Sequence, residues 1–216
     1  HIKNRLVSNY DSLQFGFRAL SSTTCAIIKS HYFLTHMLEN NSNGVFVISF
    51  DMSKAFDRVP HILLLNRLKS LNIPKGFIFW LKDYLSNRLH RTRLDNCKSQ
   101  PLPVLSGVPQ GACISPILFS LFVSTLKPIH QETFMMKYAD DFLIMVKDQN
   151  DGIKTCENEI KNIENWCLEN GLTLNLNKTK QMYVSTKCNI KKSIDDIPIS
   201  DDIKILGVTI HHTLSW

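Results

Sequence analysis

The sequence predicts an α+β fold. Two kinds of segment carry that reading. Short apolar runs of strand length occur at 45–50, 134–139 and 142–147, and longer stretches with apolar residues every three or four positions occur at 22–39 and 152–170. They alternate without the regular strand–helix–strand rhythm of a parallel sheet.

The elements follow in order. Residues 22–39 are expected to be helical, with Ser22 or Thr23 capping the start and Ile27, Leu34, Met37 and Leu38 near one face. Residues 40–44 break that pattern. The run VFVISF at 45–50 is apolar on both faces, as in a central strand covered from both sides, and it ends at Asp51. Pro60 and Pro74 stand where first helical turns begin and open helices over about 60–70 and 75–86. Residues 88–105 hold strand-like pieces with Arg88, Arg91 and Arg93. These arginines suit a phosphate backbone or a solvated strand edge. Ser115 and Pro116 read as the cap and first position of a helix over 116–127. The segments 134–139 and 142–147 flank Asp140-Asp141 as a hairpin with two acids at its turn. In 152–170, Ile153, Cys156, Ile160, Ile163 and Cys167 keep one face, and Gly171 suits the stop. Strands are expected near 172–176, 180–186 and 203–210.

Composition narrows the class. The 216 residues suit one domain, or one with a smaller attached part. A hydrophobic share of 44% and a charged share of 20% exclude a chain disordered by composition. The net charge of +6 favours a polyanionic partner without deciding it. Six cysteines include no CxxC pair, which argues against a zinc site and for a reduced, intracellular setting. No apolar run approaches the roughly 20 residues that span a bilayer, so no membrane partner is expected. The chain begins with His1 rather than Met, as a fragment or processed piece would.

Three carboxylates hold the chemical interest: Asp51, Asp140 and Asp141. Each lies at the end of an apolar strand candidate, where an acid is held rigidly. Clustered carboxylates repel and raise one another's pKa unless a cation neutralises them. Hard oxygen ligands beside phosphate substrates point to Mg²⁺. Alone, Asp-Asp between two apolar runs is an ordinary turn, since Asp favours turns. The surrounding sequence changes that reading.

Tyr138-Ala139-Asp140-Asp141 resembles the YxDD box of reverse transcriptases. FDMSKAFDRVPH, Phe50 to His61, resembles their motif A, above all that of non-LTR (LINE-type) retrotransposons. SGVPQGACISPILFSLF, Ser106 to Phe122, looks like motif B, GLTLNLNKTK, Gly171 to Lys180, like motif D, and ILGVTI, Ile205 to Ile210, like motif E. QFGFR, Gln14 to Arg18, is similar to a fingers motif of non-LTR and group II intron enzymes. The blocks stand in the family's order along nearly the whole chain.

The resemblance implies a right-hand fold whose palm is an antiparallel sheet backed by helices. It implies one reverse transcriptase domain over 1–216, with partial fingers at about 1–44 and a palm with interspersed fingers segments at about 45–216. The thumb would follow Trp216 and so is missing from the chain. Asp51, Asp140 and Asp141 match the catalytic, metal-binding triad, with the Met52 carbonyl also facing a metal. Two Mg²⁺ ions are implied, with Mn²⁺ as an alternative. Phe56 matches the aromatic gate that leaves no room for a 2′-hydroxyl and so favours dNTPs. Gln110 and Gly111 match nucleotide-contacting positions of motif B, and Gly107 with Gly111 would allow close backbone approach. Arg18 matches a triphosphate-binding arginine. Lys178 matches the motif D lysine, which would protonate the leaving pyrophosphate or offset its charge. Leu206 and Gly207 match the primer grip. Asp57 reads as structural, pairing with Arg58 or starting a helix, and Lys3 and Arg5 are weak candidates for a second triphosphate cation. His211-His212 reads as surface.

The expected function is RNA-directed DNA polymerisation, with an RNA template, a DNA primer and dNTPs as partners, and a nuclear or cytoplasmic ribonucleoprotein location. A silent or domesticated relict acting as an RNA-binding scaffold is the alternative. A group II intron maturase is a further one, which the AFDRV and LGVTI blocks disfavour. The oligomeric state is not legible.

Overall fold

A computed structural model of the chain describes residues 11–39, 43–187 and 192–214. Lys3 and Arg5 lie outside the described residues. The centre is a four-stranded antiparallel sheet in the order β6-β7-β1-β8. Its strands are β1 (Val45–Asp51), β6 (Phe134–Tyr138), β7 (Asp141–Lys147) and β8 (Lys180–Val184). β1 runs between β7 and β8, which explains why the run at 45–50 is apolar on both faces.

The alternation of side chains across a strand divides the core in two. On one face, Phe46, Ile48, Phe50, Phe142 and Ile144 pack with helices α3 (His61–Ser70), α4 (Lys75–Leu85), α5 (Ser115–Phe122) and α6 (Gly152–Glu169). On the other, Val45, Val47, Leu143, Met145 and Met182 pack with helix α1 (Thr23–Glu39) and a two-stranded hairpin, β9 (Asp202–Ile205) with β10 (Val208–His211). Burying one such aliphatic or aromatic side chain contributes about 1.5–3 kcal/mol. The short helix α2 (Ala55–Arg58) follows β1, and two small ribbons, β2 (Leu89–His90) with β5 (Leu102–Pro103) and β3 (Arg93–Leu94) with β4 (Cys97–Lys98), project from the end of α4. Among the described residues no helix is long and apolar enough to cross a membrane.

Several expectations hold. Ser22 caps α1, its Oγ accepting the Cys25 amide at 3.2 Å. Gly171 ends α6 with φ +68. Cys156 and Cys167 are buried; burial raises both thiols, that of Cys167 to about 12, so both stay protonated. Others need correction. Ser115 does not cap α5: it lies within the helix, and its Oγ donates to the Pro109 carbonyl at 2.6 Å, tying the preceding loop to the helix. Pro60 and Pro74 precede their helices as caps rather than opening them. Residues 172–176 form no strand, only an isolated bridge of Leu174 to Met52. Residues 203–210 are not one strand but a hairpin, because Leu206 and Gly207 both take positive φ, 49° and 93°, and turn the chain. Ile153 is 38% exposed, so the buried face of α6 runs instead through Cys156, Glu159, Ile163 and Cys167.

Candidate active site

Register brings the distant acids together. β1 and β7 pair so that Asp51 stands directly opposite Asp141. Cross-strand partners lie about 4.5–5.5 Å apart at Cα and project to the same face. β6 and β7 are joined by a two-residue turn, Ala139-Asp140, with Tyr138 paired to Asp141. The three carboxylates are therefore within electrostatic reach. Partial burial, then the charges of Asp140 and Asp51, push the Asp141 carboxyl above its usual range.

Residues 173–178 close the other side of the site. The Ser53 amide donates to the Thr173 carbonyl at 3.0 Å and the Asn175 amide to the Asp51 carbonyl at 2.8 Å. Because both bonds flank Met52, its own N–H and carbonyl turn to the opposite edge, the side of Asp141. Lys178 then reaches Asp51, Nζ to Oδ2 3.7 Å, with the lysine side chain 68% and the aspartate 37% exposed.

Phe56 lies on α2, stacked on Phe119 at 4.4 Å between ring centroids, with the edge of Phe17 6.4 Å away. That contact brings exposed Arg18, the next residue, to the same neighbourhood. The loop before α5 is zipped onto α2: the Gly107 amide donates to the Val59 carbonyl and the Val108 amide to the Phe56 carbonyl, both at 2.8 Å. A Cβ on Gly107 would stand 2.6 Å from the Asp57 carbonyl oxygen, so this glycine makes room for the chain itself rather than for a ligand. Gly111 meets nothing within 4 Å and is fixed by its φ of +81. Asp57 does not pair with Arg58. Its Oδ1 accepts from Gln110 Nε2 at 2.8 Å, while Arg58 donates to the Thr173 hydroxyl. Leu206 and Gly207 form the β9–β10 turn on the α1 side of the sheet. His211 hydrogen-bonds Thr213, and His212 lies 3.8 Å from Asp201. One open cleft, 580 Å³ between α1 and β6, is lined by none of the three carboxylates.

Sequence reasoning missed three partners. Gln14 hydrogen-bonds the Ala139 amide, Asp57 holds Gln110, and Lys137 pairs with Asp11 beneath the turn. A lysine inside the apolar strand FMMKY was the available signal for the last.

A fold of this kind, with acids at the end of a central strand and at a neighbouring hairpin turn, has relatives. The family described as Reverse transcriptase (RNA-dependent DNA polymerase) matches residues 1–210. The chain belongs to the reverse transcriptase family. The probable RNA-directed DNA polymerase from transposon BS of Drosophila melanogaster is 29% identical over 211 residues, 91% of this chain and 22% of the relative. The RNA-directed DNA polymerase from mobile element jockey of Drosophila melanogaster is 31% identical over 163 residues, 69% of this chain and 18% of the relative. This reverse transcriptase domain thus spans about a fifth of the length of these curated relatives. A solved telomerase from Candida tropicalis, in complex with a fragment of telomeric RNA, superposes with a TM-score of 0.71 over 99% of this chain and 36% of that one, at 16% identity. That likeness shows the fold, a mixed helical and antiparallel right-hand arrangement.

Proposed function

We propose that the domain is the catalytic part of a non-LTR retrotransposon polymerase, adding dNTPs to a primer 3′-hydroxyl along an RNA template. The observation that carries this is the Asp51–Asp141 pairing beside the Asp140 turn. Reverse transcriptases generally depend on a divalent metal, and the donor set here fits one. It offers hard carboxylate oxygens whose mutual repulsion a cation would relieve, as the upward shift of Asp141 supports. Among the described residues no three acidic, histidine or cysteine side chains close a complete ligand set alone. Mg²⁺ sites on phosphate substrates commonly use one or two carboxylates and fill the rest from phosphate and water. Asp51, Asp140, Asp141 and the Met52 carbonyl would hold two Mg²⁺ or Mn²⁺ ions, which when bound supply charge neutralisation and an activated hydroxyl.

The chain's own residues do the rest. Lys178 offsets or protonates the departing pyrophosphate from its place beside Asp51. Phe56, braced by Phe119, stands against the sugar 2′ position. Gln110, held by Asp57, and Gly111 border the nucleotide, and Arg18 meets its triphosphate. Leu206 and Gly207 offer backbone to the primer end. In this reading residues 1–44 are part of the fingers and 45–216 the palm with interspersed fingers segments, working in a nuclear or cytoplasmic ribonucleoprotein.

The test is primer extension by the parent polypeptide that carries this domain, with an RNA template, a DNA primer, dNTPs and Mg²⁺. Template-directed product that disappears with EDTA is expected. RNA binding that is indifferent to divalent metal, with no incorporation, would instead identify an RNA-binding scaffold.

A further inference from the structure

The segment before α1 carries contacts that the proposed chemistry does not use. Residues 13–15 run parallel to the free edge of β6. The Lys137 amide donates to the Leu13 carbonyl at 2.9 Å, and the Phe15 amide donates to the Lys137 carbonyl at 2.8 Å. The next residues of the chain are Tyr138 and the turn that presents Asp140 and Asp141. Ala139 has φ 56, whereas Asp140 is not among the positive-φ residues. A two-residue hairpin loop with positive φ only at its first position has the pattern of a type II′ turn, and that position belongs to glycine because a Cβ crowds it. Alanine there is strained and persists only where its surroundings hold it.

Gln14 supplies that hold. Its Oε1 accepts the Ala139 amide at 3.2 Å and the Gly16 amide at 3.1 Å. The side chain is 1% exposed, and among the described residues its Nε2 has no hydrogen-bond partner. A buried donor is left unmet while the oxygen serves the turn. Gly16 permits the approach, since a Cβ on it would stand 2.7 Å from the Ala139 nitrogen.

We propose that Gln14 is a positioning residue that keeps the Ala139-Asp140 turn in a conformation alanine does not hold unaided, and so sets the direction of Asp140 and Asp141. Its catalytic consequence rests on the function proposed above, while the latch is a property of the fold. Gln14 acts through the Ala139 amide and touches no reacting atom. Without the oxygen, the turn relaxes to another two-residue geometry and carries Asp140 with it.

Three variants of the parent polypeptide test this: Gln14→Met, Ala139→Gly and the pair together. Methionine keeps the length and fills the space without an acceptor, and glycine takes positive φ without help. Q14M is expected to lower kcat by about 10- to 100-fold, the scale of a small misplacement of catalytic groups, with the dNTP KM changed by less than about 2-fold. The thermal midpoint should stay within a few degrees. Adding A139G should restore kcat to within about 3-fold of A139G alone. Amide exchange at Ala139 should be slow in the unaltered protein and fast in Q14M. A Q14M protein with unchanged kcat overturns the proposal. So does one whose loss comes with early melting and deepens when A139G is added, which is the behaviour of simple packing. If no polypeptide polymerises, the proposed function fails, while exchange at Ala139 still decides the latch.

Discussion

Two acid–ammonium pairs, each with one member on a strand of the central sheet, behave in opposite ways. Asp11 and Lys137 have side chains 0% exposed. The lysine also donates to the Val123 and Leu126 carbonyls at 2.9 and 2.8 Å, and Lys127 adds a second contact to Asp11. That ammonium thus meets two carbonyls and a carboxylate, all out of contact with solvent. Asp51 and Lys178 are both partly exposed, 3.7 Å apart, and leave most of their hydrogen-bonding capacity open. The same chemistry is saturated in one place and unsaturated in the other. Saturation makes a pair a fixture, while open capacity leaves room for phosphate, water and metal.

The two buried partners do not shift alike. Burial pushes Asp11 up, yet the charge of Lys137 and the bonds from both lysines outweigh it and leave its carboxyl below the usual value. Burial pulls Lys137 down to about 8 despite Asp11. The geometry decides between the two readings: three polar contacts to one ammonium, two carbonyls and a carboxylate, describe a charged pair at neutral pH.

The contrast can be broken in four places. The largest effect is expected at the open acids: Asp51→Asn should lower kcat on the order of 1000-fold with little change in melting, measured by primer extension and calorimetry. A melting loss comparable to that of the buried pair would erase the distinction. Next, Lys137→Met leaves Asp11 buried with only the half-exposed Lys127, and should destabilise the fold on the order of 3 kcal/mol in urea unfolding. The double variant with Asp11→Asn should recover most of that loss. Third, the exposed Lys178 adds little to stability, so Lys178→Ala should lower kcat about 5-fold with melting unchanged. Lys178→Arg should retain activity if charge is what matters and lose it if a proton is delivered.

The smallest effect is a pH slope. The unfolded value of Lys137 is 10.5 and the folded value about 8, so between them the unfolded chain binds more protons. The contribution of this group is complete above 10.5 and lost as the pH falls through about 8. The stability of the unaltered protein relative to Lys137→Met should therefore rise across that window, as followed by urea midpoints. A flat difference would mean that Lys137 titrates as an exposed lysine.

The sheet and its acids were legible because their signals are local: apolar runs at 45–50 and 142–147 end or begin at Asp51 and Asp141. The alternation of apolar residues also misled. Ile203, Ile205, Val208 and Ile210 read as one strand because the turn between them contains Leu206, a residue that rarely takes positive φ. The partners of Asp57, Lys137 and Ala139 were not legible, since each contact joins residues far apart in the chain and depends on register. For Gln14 the block QFGFR gave the neighbourhood but not the task, because nothing in a one-dimensional string shows that Ala139 is strained.

The central placement of β1 has a consequence for how the molecule comes to life. Asp51 is synthesised before its partner, which lies 90 positions later, with α2 to α5 in between. Contacts of such long sequence separation form slowly, because loop closure precedes the reward of pairing. The meeting of the acids is thereby tied to completion of the sheet, and a nascent chain stopped before β6 carries Asp51 without Asp140 or Asp141.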